Sequence, residues 1–166
     1  MNIEYLKNDE IVKLYSQIIK ELKTRKIIRT KNILGDLAEF LAIETYNKTP
    51  GLPNLQAAPP GTQNIDAISK KGERYSIKAT SGNLTGVFYG LNDPYSNETE
   101  IQKFEFVLLV IFNNDFELLK ILEIDWFQFL KFKRWHKTMR AWNLSITKEL
   151  ISISKKIYDK NEQIKT

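Results

Sequence analysis

The stretch Asn64–Thr80, NIDAISKKGERYSIKAT, decides how this chain is read. Two runs of residues, about Asn64–Ser69 and Glu73–Thr80, flank Lys70-Lys71-Gly72. With Gly72 in the left-handed region these three residues make a common hairpin turn. Ser69 then pairs with Glu73, and Asp66 falls directly across from Ser76. Alternation along a strand puts Asn64, Asp66, Ile68, Arg74, Ser76 and Lys78 on one face. Ile65, Ala67, Ser69, Tyr75, Ile77 and Ala79 occupy the other, a largely apolar core face. The same register brings Asp66 within diagonal reach of Lys78. An Asp beside a Lys on a sheet face is by itself an ordinary ion pair of small worth, so its meaning depends on its surroundings.

Working outward, a helix reads from about Ile33 to Tyr46 with Asn32 as its N-cap. At about 100° per residue, Leu34, Leu37, Ala38 and Leu41 form one apolar stripe. Asp36 and Glu39 lie opposite, with Ile43 between them and Phe40 and Tyr46 as flanks, so they sit in a second apolar face rather than a solvated one. Gly35 would let another backbone approach. An earlier helix, about Asp9 to Lys26 with Asn8 as cap, shows Ile11, Leu14, Tyr15, Ile18, Ile19 and Leu22 at helical spacing, which predicts a core face. Lys48–Gly61 contains four of the five prolines and reads as a loop. Ser81–Gln102 is a long polar excursion, and such loops inside compact domains are often functional. Phe104–Phe112 and Phe116–Ile124 read as a second hairpin. A helix capped by Asp125 follows and runs into the basic segment. Trp142–Ile146 reads as a last strand, and a helix capped by Thr147 runs to about Tyr158 ahead of a short polar tail. The order α, α, β, β, β, β, α, β, α describes an α+β domain with a mixed sheet.

Composition narrows the chemistry. The 166 residues include 25 Lys and Arg, 20 Asp and Glu, one His and no Cys, for a net charge of +5. Disulfides, thiolate zinc sites and cysteine nucleophiles are excluded, and His136 alone makes no His–His metal pair. Carboxylates remain as the main metal ligands. The start of the chain has no signal-peptide core and no run spans a bilayer, so a soluble, cytoplasmic protein without membrane association is expected. From Trp126 to Lys148 there are six basic residues (Lys131, Lys133, Arg134, Lys137, Arg140, Lys148) and no acid. Phe132, Trp135 and Trp142 are interleaved with them. That mixture suits phosphate contact and base stacking, and it equally suits a solvated basic face over buried aromatics. The N-terminal basic zone (Lys13, Lys20, Lys23, Arg25, Lys26, Arg29) is accounted for as solvated helix charge.

A carboxylate helix, a strand bearing an Asp, a short turn and a strand ending in an acid-x-Lys pattern together resemble the PD-(D/E)XK nuclease superfamily. The resemblance covers about Ile33 to Ile146. It implies a restriction endonuclease-like core, a central mixed sheet flanked by helices, within one domain of residues 1–166. The helices 9–26 and 147–158 would pack on that core. Asp66 takes the place of the family's Asp, Lys78 that of its Lys and Ile77 that of the residue between. Glu39 matches the helical Glu, with Asp36 as a weaker alternative. Two departures stand out: Ile65 replaces a loosely kept Pro, and Ser76 replaces the acid of acid-x-Lys. As in some restriction enzymes of the Ser-x-Lys kind, a carboxylate from elsewhere would compensate, Glu39 first and Asp93 second.

The resemblance implies Mg²⁺-dependent hydrolysis of phosphodiester bonds, with Mn²⁺ as a substitute. Asp66, Glu39 and the carbonyl of Ile77 would be the metal ligands. Lys78 would orient or help deprotonate the attacking water, and Ser76 could hold a metal-bound water, which points to one firmly held metal. The expected partner is nucleic acid, chiefly double-stranded DNA in restriction-type cleavage, and a two-fold homodimer would suit cleavage of both strands. Lys70, Lys71 and Arg74 at the hairpin, with Arg134, Lys137 and Arg140, are the candidate nucleic-acid contacts. Gln63, Asn64 and the loop Ser81–Gly90 are further substrate-side candidates. Two other readings stay open: a nuclease-like fold that binds nucleic acid without cutting it, and a regulatory domain whose basic segment binds an acidic protein.

Overall fold

A computed structural model of the chain describes residues 2–59 and 61–163; of the polar C-terminal tail, residues 164–166 lie outside that range. The hairpin forms as its alternation demands. Strands β2 (Ala67–Ser69) and β3 (Arg74–Thr80) pair antiparallel with Ala67 opposite Tyr75 and Ile68 opposite Arg74. Residues 70–72 turn the chain, with Gly72 at φ +86°, and Ser69 N–H donates to Glu73 O at 2.9 Å. β3 then pairs in parallel with β4 (Phe106–Phe112), and β4 pairs antiparallel with β5 (Leu118–Asp125). Two further strands, β1 (Leu55–Ala57) and β8 (Lys155–Asp159), complete a mixed six-stranded sheet in the order β1-β2-β3-β4-β5-β8. The protein is therefore an α+β fold, a mixed sheet flanked by helices.

Both added strands correct the sequence reading. The proline-rich stretch 48–61 contains β1 (Leu55–Ala57), which pairs with β2. Its prolines bracket three residues that are free to donate to the ladder. The C-terminal helix expected to reach Tyr158 stops at Ile153 (α4, Lys148–Ile153, capped by Thr147), and β8 (Lys155–Asp159) runs along β5. The edge of β5 offers unpaired main-chain groups that an adjacent chain segment satisfies. Short periodic segments cannot be told apart when such a partner is available.

Helix α2 (Ile33–Lys48) lies on one face of the sheet, with the Asn32 side chain accepting from Gly35 N–H at 3.2 Å. A Cβ at Gly35 would collide with that Asn32 side chain, so the glycine serves the cap rather than the approach of another backbone. Ala38, Ala42 and Tyr46 are the fully buried apolar residues of α2, while Leu34, Leu37 and Leu41 are half-buried at its flank. They pack on Tyr75, Ile77, Leu108, Val110 and Ile121. Tyr46 meets Tyr75 edge to face at 5.7 Å, and its hydroxyl donates to the buried Glu123 of β5, which Lys155 of β8 approaches at 3.2 Å. Burial first and Glu123 second push the Tyr46 phenol well above its ordinary range.

On the other face, Phe88, Phe104, Trp126 and Phe129 form an aromatic cluster against Val107, Leu109, Leu122 and Ile124. Helix α3 (Trp126–Phe132) is capped by Asp125 as expected, but it ends after two turns. The basic segment beyond it is not helical: β6 (Lys133–His136) and β7 (Ala141–Leu144) form a separate hairpin. Trp135 sits opposite Trp142 at 5.2 Å in a T-shaped pair that a helix could not supply. The long excursion 81–102 docks on this hairpin, with Thr85 N–H donating to Leu144 O and Phe88 N–H to Trp142 O.

Helix α1 (Asn8–Thr24) differs most from expectation. Its first turn is closed by Glu10 accepting from Lys7 N–H at 2.8 Å, so Lys7 rather than Asn8 is the cap. None of its residues is buried. No helix among the described residues is long and apolar enough to cross a membrane. Phe129→Ala should cost about 3–5 kcal/mol in urea unfolding through loss of the aromatic cluster. Phe127→Ala, at a site 77% exposed, should stay within about 0.5 kcal/mol.

Candidate functional site

Asp66 stands one residue before β2, where the strand parts from β3. Its own N–H donates to Tyr75 O at 2.8 Å and its carbonyl accepts from Ala58 N–H at 2.9 Å, so the backbone is held from both sides. The carboxylate turns onto β3, accepting from Ile77 N–H at 2.6 Å and from Ser76 Oγ at 3.4 Å. In a strand the N–H and C=O of one residue point to the same edge. Because the Ile77 N–H is aimed at Asp66, the Ile77 carbonyl is directed to that same side, beyond the end of β2.

Glu39 comes to this place from α2. It and Asp66 line a cleft of about 360 Å³ together with Ile77 and Lys78, with Gly35 and Gly86 among the remaining walls. A second cleft of about 200 Å³, lined by Arg29, Thr30, Asp36, Pro59 and Thr62, shares Glu39 and Asp66 as its wall. Two carboxylates and a lysine, distant from one another in sequence, therefore line one cleft. Burial above all, and then the charge of Asp66, push the Glu39 carboxyl up to about 7, against the pull of Arg29. Burial also raises Asp66, opposed by the Ile77 hydrogen bond and the Lys78 charge. Lys78 is held below its ordinary value by burial, with Asp66 and Glu39 working against that shift. Its ammonium lies 4.7 Å from the centre of the Phe88 ring.

Ser76, expected to hold a metal-bound water as part of the catalytic group, is instead fully buried, with its hydroxyl turned toward Asp66 rather than open to the cleft. Asp36, the alternative helical acid, is a structural clamp: it accepts from Arg29 N–H at 2.7 Å and from both the N–H and the hydroxyl of Thr30. That clamp sets the position of Arg29, whose guanidinium forms an ion pair with Glu39. Arg29 was grouped with the solvated N-terminal charge, and no spacing rule links it to Glu39; its role follows from the clamp.

The nucleic-acid candidates separate into two groups. Lys70 and Lys71 are exposed at the far end of the β2–β3 hairpin, about 13 Å along the strand from Asp66. Arg74 is committed to Glu105 through a two-pronged guanidinium–carboxylate pair, with nitrogen–oxygen distances of 2.7 and 3.1 Å. These three do not converge on the cleft, because the antiparallel hairpin carries its tip away from the end that bears Asp66. Arg134, Lys137 and Arg140 are exposed on the β6–β7 hairpin, with Arg140 in the left-handed region at φ +47°. Phe88 lies opposite Trp142, two residues from Arg140, and the next residue, Tyr89, accepts through its carbonyl from the Asn64 side chain. Asn64 is two residues from Asp66, so the β6–β7 hairpin is joined through Phe88 and Tyr89 to the segment leading into Asp66, while none of its basic residues lines either cleft. His136 accepts from Met139 N–H at 3.2 Å and closes the turn. Asp93 bonds to the N–H of Tyr95 in its own loop and does not line either cleft.

Among the described residues, no cluster of three or more His, Cys, Asp and Glu side chains could hold a metal ion. The donor set at the cleft is two carboxylates and one directed carbonyl. That all-oxygen set fits a small hard cation, which keeps several waters of its own.

The raised Glu39 value predicts a pH-dependent stability. Between its ordinary 4.5 and about 7 the folded chain holds this proton and the unfolded chain does not. Stability therefore falls as pH rises through that window and stays lower above it. Urea unfolding of the parent relative to Glu39→Gln should lose about 1–2 kcal/mol from pH 4.5 to 7.5, allowing for solvent screening. A difference that does not change with pH would refute the assignment. No protein-family model matches this chain, and no curated protein matches it at a significant level.

Proposed function

We propose that the protein is a Mg²⁺-dependent endonuclease acting on DNA, of the PD-(D/E)XK kind. One observation carries the reading: Asp66, Glu39 and Lys78, widely separated in sequence, line one cleft. Carboxylates and a lysine facing one cleft suit a cation and a phosphate chain bound in contact. The fold supports the same reading, since a helix lies across a mixed sheet whose antiparallel hairpin ends in the Asp and the Lys.

Asp66, Glu39 and the Ile77 carbonyl would hold the metal, which supplies Lewis acidity and a more acidic bound water. Lys78, with its proton affinity lowered by burial, is suited to orienting a water and exchanging a proton with it. Its remaining positive charge would stabilise negative charge developing on a phosphate oxygen. Arg29 holds Glu39 in place through its ion pair. Ser76 supports Asp66 and keeps its carboxylate oriented, which is a positioning role. Arg134, Lys137 and Arg140 would contact phosphates along the duplex. The absent third carboxylate at position 76 favours the second reading, binding without cleavage, and the two differ in whether Mg²⁺ produces cut DNA.

Asp66→Ala and Lys78→Ala should each lower Mg²⁺-dependent cleavage of plasmid DNA by about 100-fold or more. Unchanged cleavage in either variant would exclude the assignment. Intact DNA with the parent protein, together with salt-sensitive DNA binding, would select the non-cleaving reading. Mn²⁺ affinity measured by calorimetry should rise with pH up to about 7 and level off, because Glu39 must lose its proton to become a ligand. In Glu39→Gln that dependence should disappear.

A further inference from the structure

The two clefts at Glu39 and Asp66 each carry one cation. Lys78 lines the cleft of about 360 Å³ and Arg29 that of about 200 Å³, and both carboxylates stand in the wall they share. A phosphate chain lying across that wall would set one phosphate beside Lys78 and the next beside Arg29. The smaller cleft is below the roughly 300 Å³ at which pockets for whole small molecules begin. It therefore takes one group of a larger ligand.

Arg29 has the means to hold an anion there. Its backbone is fixed, because Asp36 accepts from its N–H at 2.7 Å and from Thr30 as well. Its side chain is 35% exposed. A guanidinium carries five N–H donors, and among the described residues Glu39 is the only acceptor that the Arg29 side chain meets. Arg74 is the opposite case, gripped by Glu105 in two prongs and touched by the Gln102 carbonyl. The open donors of Arg29 form the fork that matches phosphate oxygens. Charge sets the order of filling. Asp36, Glu39 and Asp66 against Arg29 and Lys78 leave the two clefts one charge negative, and a divalent cation makes them one charge positive. An anion is repelled before the cation binds and attracted afterwards.

We infer that the smaller cleft is a phosphate subsite, in which Arg29 binds the phosphate next to the one beside Lys78, and that it fills once a divalent cation occupies Glu39 and Asp66. The inference deepens the nuclease reading and rests on it for the identity of the metal and of the phosphate chain. Cation and phosphate then strengthen each other's binding by the same factor, with Arg29 as the residue that receives the phosphate. Lys26, exposed and absent from both cleft walls, has no part in the subsite.

Thymidine 3′,5′-bisphosphate, with two phosphates one sugar apart and no phosphodiester to cut, is the probe, and thymidine 5′-monophosphate is its control. In calorimetry of the full chain at about pH 8, the bisphosphate should bind about tenfold more tightly with saturating Mn²⁺ than without it, and the monophosphate should gain less. Arg29→Gln should lower the Mn²⁺-dependent bisphosphate affinity by about tenfold without lowering the affinity for Mn²⁺ alone. Lys26→Gln should change neither. If circular dichroism shows Arg29→Gln to be misfolded, Arg29→Lys is read in its place; it keeps the charge, loses the fork and should show a smaller loss. A bisphosphate affinity unchanged without Arg29, or lowered equally in Lys26→Gln, overturns the inference and leaves the nuclease reading standing. A fall in Mn²⁺ affinity in Arg29→Gln also overturns it, since Arg29 would then only position Glu39. A parent that binds no Mn²⁺ fails the metal of the nuclease reading instead, and the subsite is then read without metal. There Glu39→Gln should bind the bisphosphate about tenfold more tightly than the parent, and adding Arg29→Gln should cancel the gain. Absence of the gain, or its survival without Arg29, overturns the subsite.

Discussion

Strand β3 is covered on both faces, by α2 on one side and by Phe88 and its aromatic neighbours on the other, and it carries Lys78 within it. A lysine in such a strand is costly unless anions and polarisable groups surround its ammonium. Asp66 and Glu39 provide the anions and the Phe88 ring provides a negative face. Each of these partners needs its own support. Asp66 is fixed by the Ile77 amide, Glu39 by Arg29, Arg29 by the Asp36 clamp, and Phe88 by its ladder contact with Trp142. The connections of the domain converge on one buried ammonium.

That convergence has an electrostatic consequence. Burial and then the Asp66 charge raise the proton affinity of Glu39, burial raises that of Asp66, and the cations beside them offset this only in part. Glu39 is left near neutrality in its titration while Lys78 is drawn downward. Perturbed groups facing one cleft are how proteins prepare acid–base and metal chemistry. In the Arg74–Glu105 pair, by contrast, the glutamate is held below its ordinary value by the guanidinium. The chain thus contains both kinds of pair, one that anchors the start of β3 and one that leaves charge uncompensated near its end.

The basic hairpin gains its place from the loop between β3 and β4. Residues 84–88 bridge from the end of the lysine strand to β7, so the exposed arginines and lysine of β6–β7 are tied to the cleft by backbone hydrogen bonds and not by sequence proximity. The Trp135–Trp142 pair and the Lys133–Glu100 ion pair, at 3.0 Å, stiffen that projection.

How much of this was legible beforehand follows the range of the forces involved. The β2–β3 hairpin, its turn at Gly72, the apolar face under α2, the cap at Asn32, most of the strand read at Phe104–Phe112 and the start of α3 at Asp125 all rest on local periodicity and capping, and each is present. The pairing of Asp66 with β3 belongs to the same group, because a tight turn fixes register. What depended on tertiary structure was decided by partners distant in the chain. Lys155–Asp159 became a strand because β5 offered an open edge, and Leu55–Ala57 became one because β2 did. Lys133–Leu144 became a hairpin through facing tryptophans. The apolar stripe of α1 predicts a core face that the fold does not use, because periodicity states only that a face wants covering and never what covers it. In the same way, the residue types of Asp66, Glu39 and Lys78 were set by composition and spacing, while their meeting in one cleft, with Arg29 and Phe88 as neighbours, came from how α2 and the 81–90 loop pack on the sheet.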